Sequence, residues 1–345
     1  MAGAGQPFYM PLTWPVGHLS SAIMKPEADD AVPKPEATPE LDGVGHATSM
    51  FGAARSFLMA WYVVVAVYGS WDDYPGALGG AASHGYAWSW VGPILLRDVL
   101  ACWLIAGGWD YFLYFSPLAA KLEKYKLNPV YPGLRQMGRD FLVATQSMFC
   151  AAAVECWLCR RWASGAVASA PSLELSAKNV VLILTLTHWR IPHFWLIHRG
   201  MHPWKAKGVP DVGKFLYKHV HSLHHKSSNP TAFSGTNMHP VEATLYFSAA
   251  LLVAPLGVHP SIPLACVVDC AVGAWLGHDG FQWPGSGDYF HQLHHAHFDC
   301  NYGAMHVPID KWLGTYAGCK EDLKAIWGKR AADRAKVGKD GTKRA

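Results

Sequence analysis

Apolar positions in this chain gather into runs of about bilayer length, separated by polar and often basic connections. A helix rising about 1.5 Å per residue needs about 20 residues to cross a hydrocarbon core of about 30 Å. Runs of that order occur at Ala54 to Ser70, Gly92 to Tyr114, Phe141 to Cys159 and Asn179 to Ile197, so four spans are expected. Arg97, Asp98 and Asp110 make the second the least clean. A further apolar stretch, Ala243 to Gly277, is interrupted near Pro255, Pro260 and Pro263. Proline removes a backbone donor and breaks helices, so this stretch is expected as a helical hairpin that enters the membrane and returns. The pattern predicts an all-α, polytopic membrane bundle of five or six helices.

The ends differ from the middle. Residues 1–50 are rich in Pro, Ala, Gly and Glu with few consecutive apolar positions, and such a segment cannot bury enough surface to offset the entropy of ordering. It is expected as a disordered tail without the charged start and apolar core of a secretory signal. Membrane helices then occupy 51–178, a histidine-rich domain 179–316, and a basic tail 317–345. Short cytosolic loops collect Lys and Arg. The loop from Trp71 to Val91 has neither, whereas the next carries Lys121, Lys124, Lys126, Arg135 and Arg139. The first is therefore expected in the lumen and the second in the cytosol. Alternation puts His198 to Glu242 on the cytosolic side, and the tail after Asp310, again rich in Lys and Arg, is expected there as well.

Composition agrees with a membrane domain. Of 345 residues, 51% are hydrophobic, 16% are charged and 16 are tryptophan, which is too apolar and too Trp-rich for an average soluble domain. A net charge of +4, with no groove of interleaved aromatic and basic residues, argues against nucleic acid as a partner. The eight cysteines lie mostly in or beside apolar runs. No second CxxC follows Cys156 and Cys159, so these read as small buried residues.

Histidine carries the candidate chemistry. Fourteen of the nineteen histidines fall between His198 and His306. His198 and His202 form HxxxH; His221, His224 and His225 form HxxHH; His291, His294 and His295 form a second HxxHH. Helical positions three or four apart share a face, so each motif aims at least two imidazoles at one point. Adjacent helical residues diverge by about 100 degrees, so His224 and His225 can serve different metals, as can His294 and His295. Eight imidazoles exceed the needs of one ion, so two metals are expected. Imidazole suits Zn, Cu, Fe and Ni alike. A zinc hydrolase would want a general base such as the Glu of HExxH, which is missing here. An all-nitrogen site beside the membrane better matches redox chemistry on an apolar substrate, for which two irons could share the electrons that cleave oxygen.

His278, in Gly277-His278-Asp279-Gly280, is a candidate ninth ligand, and His239, in His239-Pro240-Val241-Glu242, is a possible tenth. His219, His297 and His306 lie off the motif faces, and His188 and His193 lie inside the fourth span. His18, His46, His84 and His259 are expected to be incidental.

The run His198-Arg199-Gly200-Met201-His202, the segment Tyr217 to Lys226, His239-Pro240-Val241-Glu242, His278-Asp279-Gly280, His291 to His295, Asn301-Tyr302-Gly303 and the stretch from Asp310 to Gly314-Thr315 together resemble the sterol desaturase and fatty acid hydroxylase superfamily. The resemblance covers roughly Asn179 to Tyr316. It implies a helical membrane fold with a cytosolic cap holding two non-haem irons, oxygen as oxidant, and electrons from NADH or NADPH through a reductase and often cytochrome b5. The implied ligands are His198, His202, His221, His224, His225, His278, His291, His294 and His295, with His239 possible. Glu242, Asp279, Asn301 and Asp310 would orient imidazoles or nearby backbone.

His-Asp-Gly before the last box and Asn-Tyr-Gly after it are similar to the sterol C-5 desaturase (lathosterol oxidase-like) branch, with the sterol C-4 methyl oxidase branch as nearest competitor. A fatty acyl 2-hydroxylase or a carotenoid hydroxylase would be the same scaffold acting on another lipid. A membrane metal transporter or an inactive scaffold would be a different class, but transport favours ionisable residues near mid-span, and the three boxes lie outside the confident spans. The resemblance also implies the endoplasmic reticulum membrane.

Overall fold

A computed structural model describes residues 43–68, 72–128, 131–174, 176–204, 208–283, 288–318 and 322. The expected disordered tail before residue 43, and most of the basic tail from 317, lie outside the described residues. Among the described residues the chain is helical without strands, and one isolated bridge joins Lys126 to Phe281.

Four long helices open the fold: α1 (Gly43–Tyr68), α2 (Trp88–Phe115), α3 (Leu134–Ala163) and α4 (Ala177–Gly200). Among the described residues α2, α3 and α4 are long and apolar enough to cross a membrane. The expected first span lies in α1, whose apolar part among the described residues, Gly52–Val67, is shorter than that length. The helix also begins at Gly43, inside the segment expected to be disordered. Beyond α4 come α5 (Val212–His219), α6 (Pro240–Phe247, continued by tight turns to Leu256), α7 (Ser261–Leu276), α8 (Asp288–His297) and the single turn α9 (Ile309–Trp312).

The proline-interrupted stretch forms the expected hairpin. Pro240 sits in the first turn of α6, where its missing N–H costs nothing, and the His239 side chain accepts from the Val241 N–H at 3.2 Å. Gly257, at φ 62°, adopts the left-handed conformation that ends the descending arm before α7 begins.

Helix α1 packs on α7 and α4; α2 packs on α3; α3 packs on α6 and on the tight turn Ala232–Thr236, which also rests against α7. Gly235 makes that last contact possible, since a Cβ there would lie 2.1 Å from the Ala274 carbonyl oxygen. Trp90, Ile94, Leu158, Leu186, Phe247 and Trp275 fill the core. Large apolar side chains such as Leu104, Trp189 and Leu196 face outward from α2 and α4, an arrangement that suits lipid rather than water.

The charges that interrupt the second run turn inward. Arg97 of α2 contacts both Asp98 and Glu155 of α3 at 2.6 Å, and the Tyr74 hydroxyl donates to Glu155. Asp110 accepts the Ala232 N–H at 2.7 Å. Polar groups inside apolar helices thus cross-link the bundle, as the cost of leaving them unpaired in a low-dielectric interior requires. Cys156 and Cys159 are buried free thiols, as expected.

Candidate metal centre

Nine histidines converge where the ends of α4, α7 and α8 meet the tight turn His221–Lys226. His198 occupies the last turn of α4 and His202 lies just past its C-cap, Met201. His278 follows the end of α7, and His291, His294 and His295 lie on α8. The middle motif departs from the expected α-helix, because Val220 leaves helical geometry after α5 and residues 221–226 resume as a 3-10 turn. Positions three apart nearly eclipse in that geometry, and the His221 and His224 rings stack at 5.5 Å.

The ring nitrogens form two groups. His198, His202, His221, His225 and His294 each offer one nitrogen, all within 4.8 Å of one another, and His224, His278, His291 and His295 do the same beside them. Both adjacent doublets divide between the groups: His225 and His294 join the first, His224 and His295 the second. His239 joins neither and instead caps α6.

Hydrogen bonds fix several tautomers. His221 Nδ1 pairs with Glu242 Oε1 at 2.7 Å. A carbonyl can only accept, so Nδ1 of His198 donates to the Tyr302 carbonyl at 2.7 Å, that of His294 to Cys300 at 2.6 Å and that of His278 to Ala274 at 2.8 Å. Each of these rings is left with a lone pair on Nε2. His225 Nε2 lies 3.0, 3.2 and 3.3 Å from Nε2 of His221, His294 and His202. One nitrogen carries at most one proton and cannot satisfy all three. His198 Nε2 and both ring nitrogens of His295 are buried without hydrogen-bond partners. Burial pushes the His221 imidazole down to about 3 and that of His278 to about 4, and it lowers the other cap imidazoles with help from their neighbours, so the rings are neutral at pH 7. Converging lone pairs on buried neutral imidazoles fit metal cations and are hard to reconcile with any other arrangement.

The surrounding shell is built from residues far apart in sequence. Glu242 of α6 holds His221 directly. Asp310 accepts from the Trp195 indole and from the Tyr302 and Gly303 N–H groups at 3.0, 3.0 and 2.8 Å, and thereby fixes the carbonyl that holds His198. Asn301, in the left-handed region at φ 54°, donates to the Phe290 and Ala317 carbonyls and closes the loop after α8. Asp279 holds neighbouring backbone, accepting the Phe281 N–H at 2.8 Å, and binds the Trp109 and Trp283 indoles.

Sequence reasoning missed the anchor beneath the middle motif. Asp140 of α3, fully buried, accepts from Ser227, Ser234 and Asn237, and Arg139 pairs with it at 2.9 Å. A carboxylate one residue before an apolar run was the available signal. His259, expected to be incidental, is buried and bonded to Ser261 at 2.9 Å.

A cavity of about 240 Å³ runs from the membrane helices to the histidines. Thr187, Arg190, Ile191 and Phe194 of α4, Tyr246 of α6 and Asp269 and Gly273 of α7 line its deeper part. His198, His221, His224, His278 and His291, drawn from both nitrogen groups, line the other end, together with His306. An apolar molecule in the cavity would therefore reach both groups.

Residues 181–315 match the family described as fatty acid hydroxylase. Cholesterol 25-hydroxylase of Rattus norvegicus is 28% identical over 240 residues, 65% of this chain and 70% of the relative. Sphinganine C4-monooxygenase 2 of Arabidopsis thaliana is 29% identical over 42% of this chain and 56% of its own length. A Delta(7)-sterol 5(6)-desaturase of Gibberella zeae is 32% identical over 36% of this chain and 33% of its own length. No solved structure matches.

Proposed function

From the sterol desaturase and fatty acid hydroxylase superfamily, whose motifs, family match and relatives this chain carries, we propose that it is a membrane di-iron oxidoreductase that hydroxylates or desaturates a lipid. The observation that supports this most is the division of nine neutral imidazoles, buried except for half-buried His291, into two adjacent groups at the end of an apolar cavity. His198, His202, His221, His225 and His294 would hold one iron, and His224, His278, His291 and His295 the other. His239, the possible tenth ligand, lies outside both groups and caps α6 through Nδ1. Bound iron would supply the activation of O2, with electrons delivered by a reductase or cytochrome b5 from NADH or NADPH.

The protein's own task is to bind, orient and exclude water. Ile191, Phe194 and Met238 present an apolar wall, and the Nδ1 hydrogen bonds keep ligand lone pairs aimed inward. No side-chain nucleophile or general base is required, because the attacked bond is an unactivated C–H. In this reading residues 179–316 carry the chemistry, residues 51–178 complete the membrane body, and the histidines face the cytosol of an endoplasmic reticulum membrane.

The substrate is proposed to be a sterol. The motifs His278-Asp279-Gly280 and Asn301-Tyr302-Gly303 favour C-5 desaturation, with C-4 methyl oxidation as its neighbour. Hydroxylation is a second reading, favoured by the hydroxylase relative that aligns over 65% of this chain. The test is product formed per mole of inserted protein, with oxygen, NADH, reductase and a panel of sterols and long-chain lipids. His224→Gln and His294→Gln should each abolish product while leaving insertion intact, and exposed His84→Gln should be silent. Full activity in both ligand variants would overturn the reading.

A further inference from the structure

Arg190 and Asp269 form a charged pair inside the bundle, between α4 and α7, with Nε of Arg190 2.6 Å from Oδ2 of Asp269. They are only 7% and 3% exposed, and both line the cavity. The pair uses one donor of the guanidinium and one oxygen of the carboxylate. The two Nη groups and Oδ1 have no hydrogen-bond partner among the described residues, although neither side chain is sealed from the cavity. Gly273 leaves the guanidinium its room, since a Cβ there would come within 3.1 Å of Nη2. Charged groups at mid-span are costly and mark function when they face a cavity. A purely structural pair would be expected to close on itself with both oxygens and several donors engaged.

We propose that Arg190 and Asp269 form a binding site for the hydroxyl group of a long, otherwise apolar lipid alcohol, and that this site sets which carbon meets the histidines. The inference rests on the lipid-oxidase reading. A hydroxyl both accepts and donates hydrogen bonds, so its oxygen can accept one from Arg190 Nη while its O–H donates one to Asp269 Oδ1. A carboxylate would meet Asp269 with like charge. Arg190 precedes the ligand candidate His198 by eight residues on the same helix, about 12 Å of rise. An alcohol held at Arg190 therefore presents a carbon remote from its oxygen. Such a lipid could be a sterol alcohol or a straight-chain alcohol, which share the recognised group and differ in their rigid or flexible bodies.

The test measures equilibrium binding to the full chain in phosphatidylcholine nanodiscs, without oxygen or reductant, so that it does not depend on turnover. The probes are cholesterol, its analogue lacking the hydroxyl and its methyl ether, and in parallel palmityl alcohol, hexadecane, the palmityl methyl ether and palmitate. At least one alcohol should bind about tenfold or more tighter than its hydrocarbon and its ether, the range expected for hydrogen bonds to charged groups. The series that shows the preference identifies the lipid class. The double variant R190M/D269L, which replaces the pair by apolar residues of similar volume, should bind hydrocarbon unchanged and lose the preference for the alcohol. Should it not fold, the wild-type series decides. No preference for either alcohol, tighter binding of palmitate than of palmityl alcohol, or a preference that survives in R190M/D269L would overturn the proposal. If instead the preference is found but no lipid is ever oxidised, the oxidase reading fails and the site stands.

Discussion

Glu242 fixes His221 by direct contact, whereas Asp310 acts on His198 at one remove, through the Tyr302 carbonyl. Partners of this kind orient ligands and typically contribute about 10- to 100-fold to metal affinity. Glu242→Gln should therefore weaken iron retention by roughly that factor, read by competition with a chelator at unchanged helical content. Retention equal to wild type would show that the His221 tautomer does not matter to the metal. Asp310→Ala should weaken retention too, and should also raise hydrogen exchange at the Tyr302 and Gly303 amides, whose acceptor it removes. The imidazoles themselves were legible in the sequence because HxxHH is a rare pattern with a direct geometric meaning. The Tyr302, Cys300 and Ala274 carbonyls were not, since every residue has a carbonyl and composition cannot say which ones a ring will meet. His239 was left open for a related reason. A histidine before Pro240 can ligate or cap, and only the fold shows that its Nδ1 already serves Val241.

Helix α3 begins at Leu134, several residues before the apolar run that announces it, and the difference contains Arg139 and Asp140. Hydropathy reads these charges as the end of a span. In the structure they are the seat on which the segment 227–237 rests, through Ser227, Ser234 and Asn237. Removing one partner of a buried charged network is expected to cost about 3–5 kcal/mol, because the other charge is left unpaired. Asp140→Ala should lower the unfolding temperature in detergent markedly and disturb the neighbouring middle histidine motif, giving a protein that inserts but holds little metal. A melting temperature within a degree or two of wild type, with full metal, would contradict the role assigned to Asp140. The proline-broken hairpin of α6 and α7 was legible because backbone chemistry alone dictates a break. The start of α1 was not, since the apolar run begins near Ala54 and the helix begins at Gly43, among polar and small residues that hydropathy does not flag.

At the scale of the whole molecule, the arrangement requires the three motifs to lie on one side of the membrane, because they meet in one cluster. The proposed orientation, read from the Lys and Arg asymmetry of the loops, takes that side to be the cytosol. A protease added to sealed microsomes should cleave around Lys218 and leave the segment around Tyr74 intact, and the reverse pattern would overturn the orientation. The helical membrane body and the nine converging histidines could be read from pattern and spacing, whereas the cavity could not. It is made by α1, α4, α6 and α7 together, from single residues such as Arg190 and Asp269 that sit in separate apolar runs. The central claim is that the doublets feed two separate ions, one nitrogen group each. It is tested most directly by the metal content of the purified full chain and of His225→Ala and His295→Ala. The account predicts about two irons per chain in wild type, with His225→Ala losing the iron of the first group and His295→Ala that of the second, so that each variant retains about one. A single tightly held zinc in active protein, or two irons retained in both variants, would contradict it.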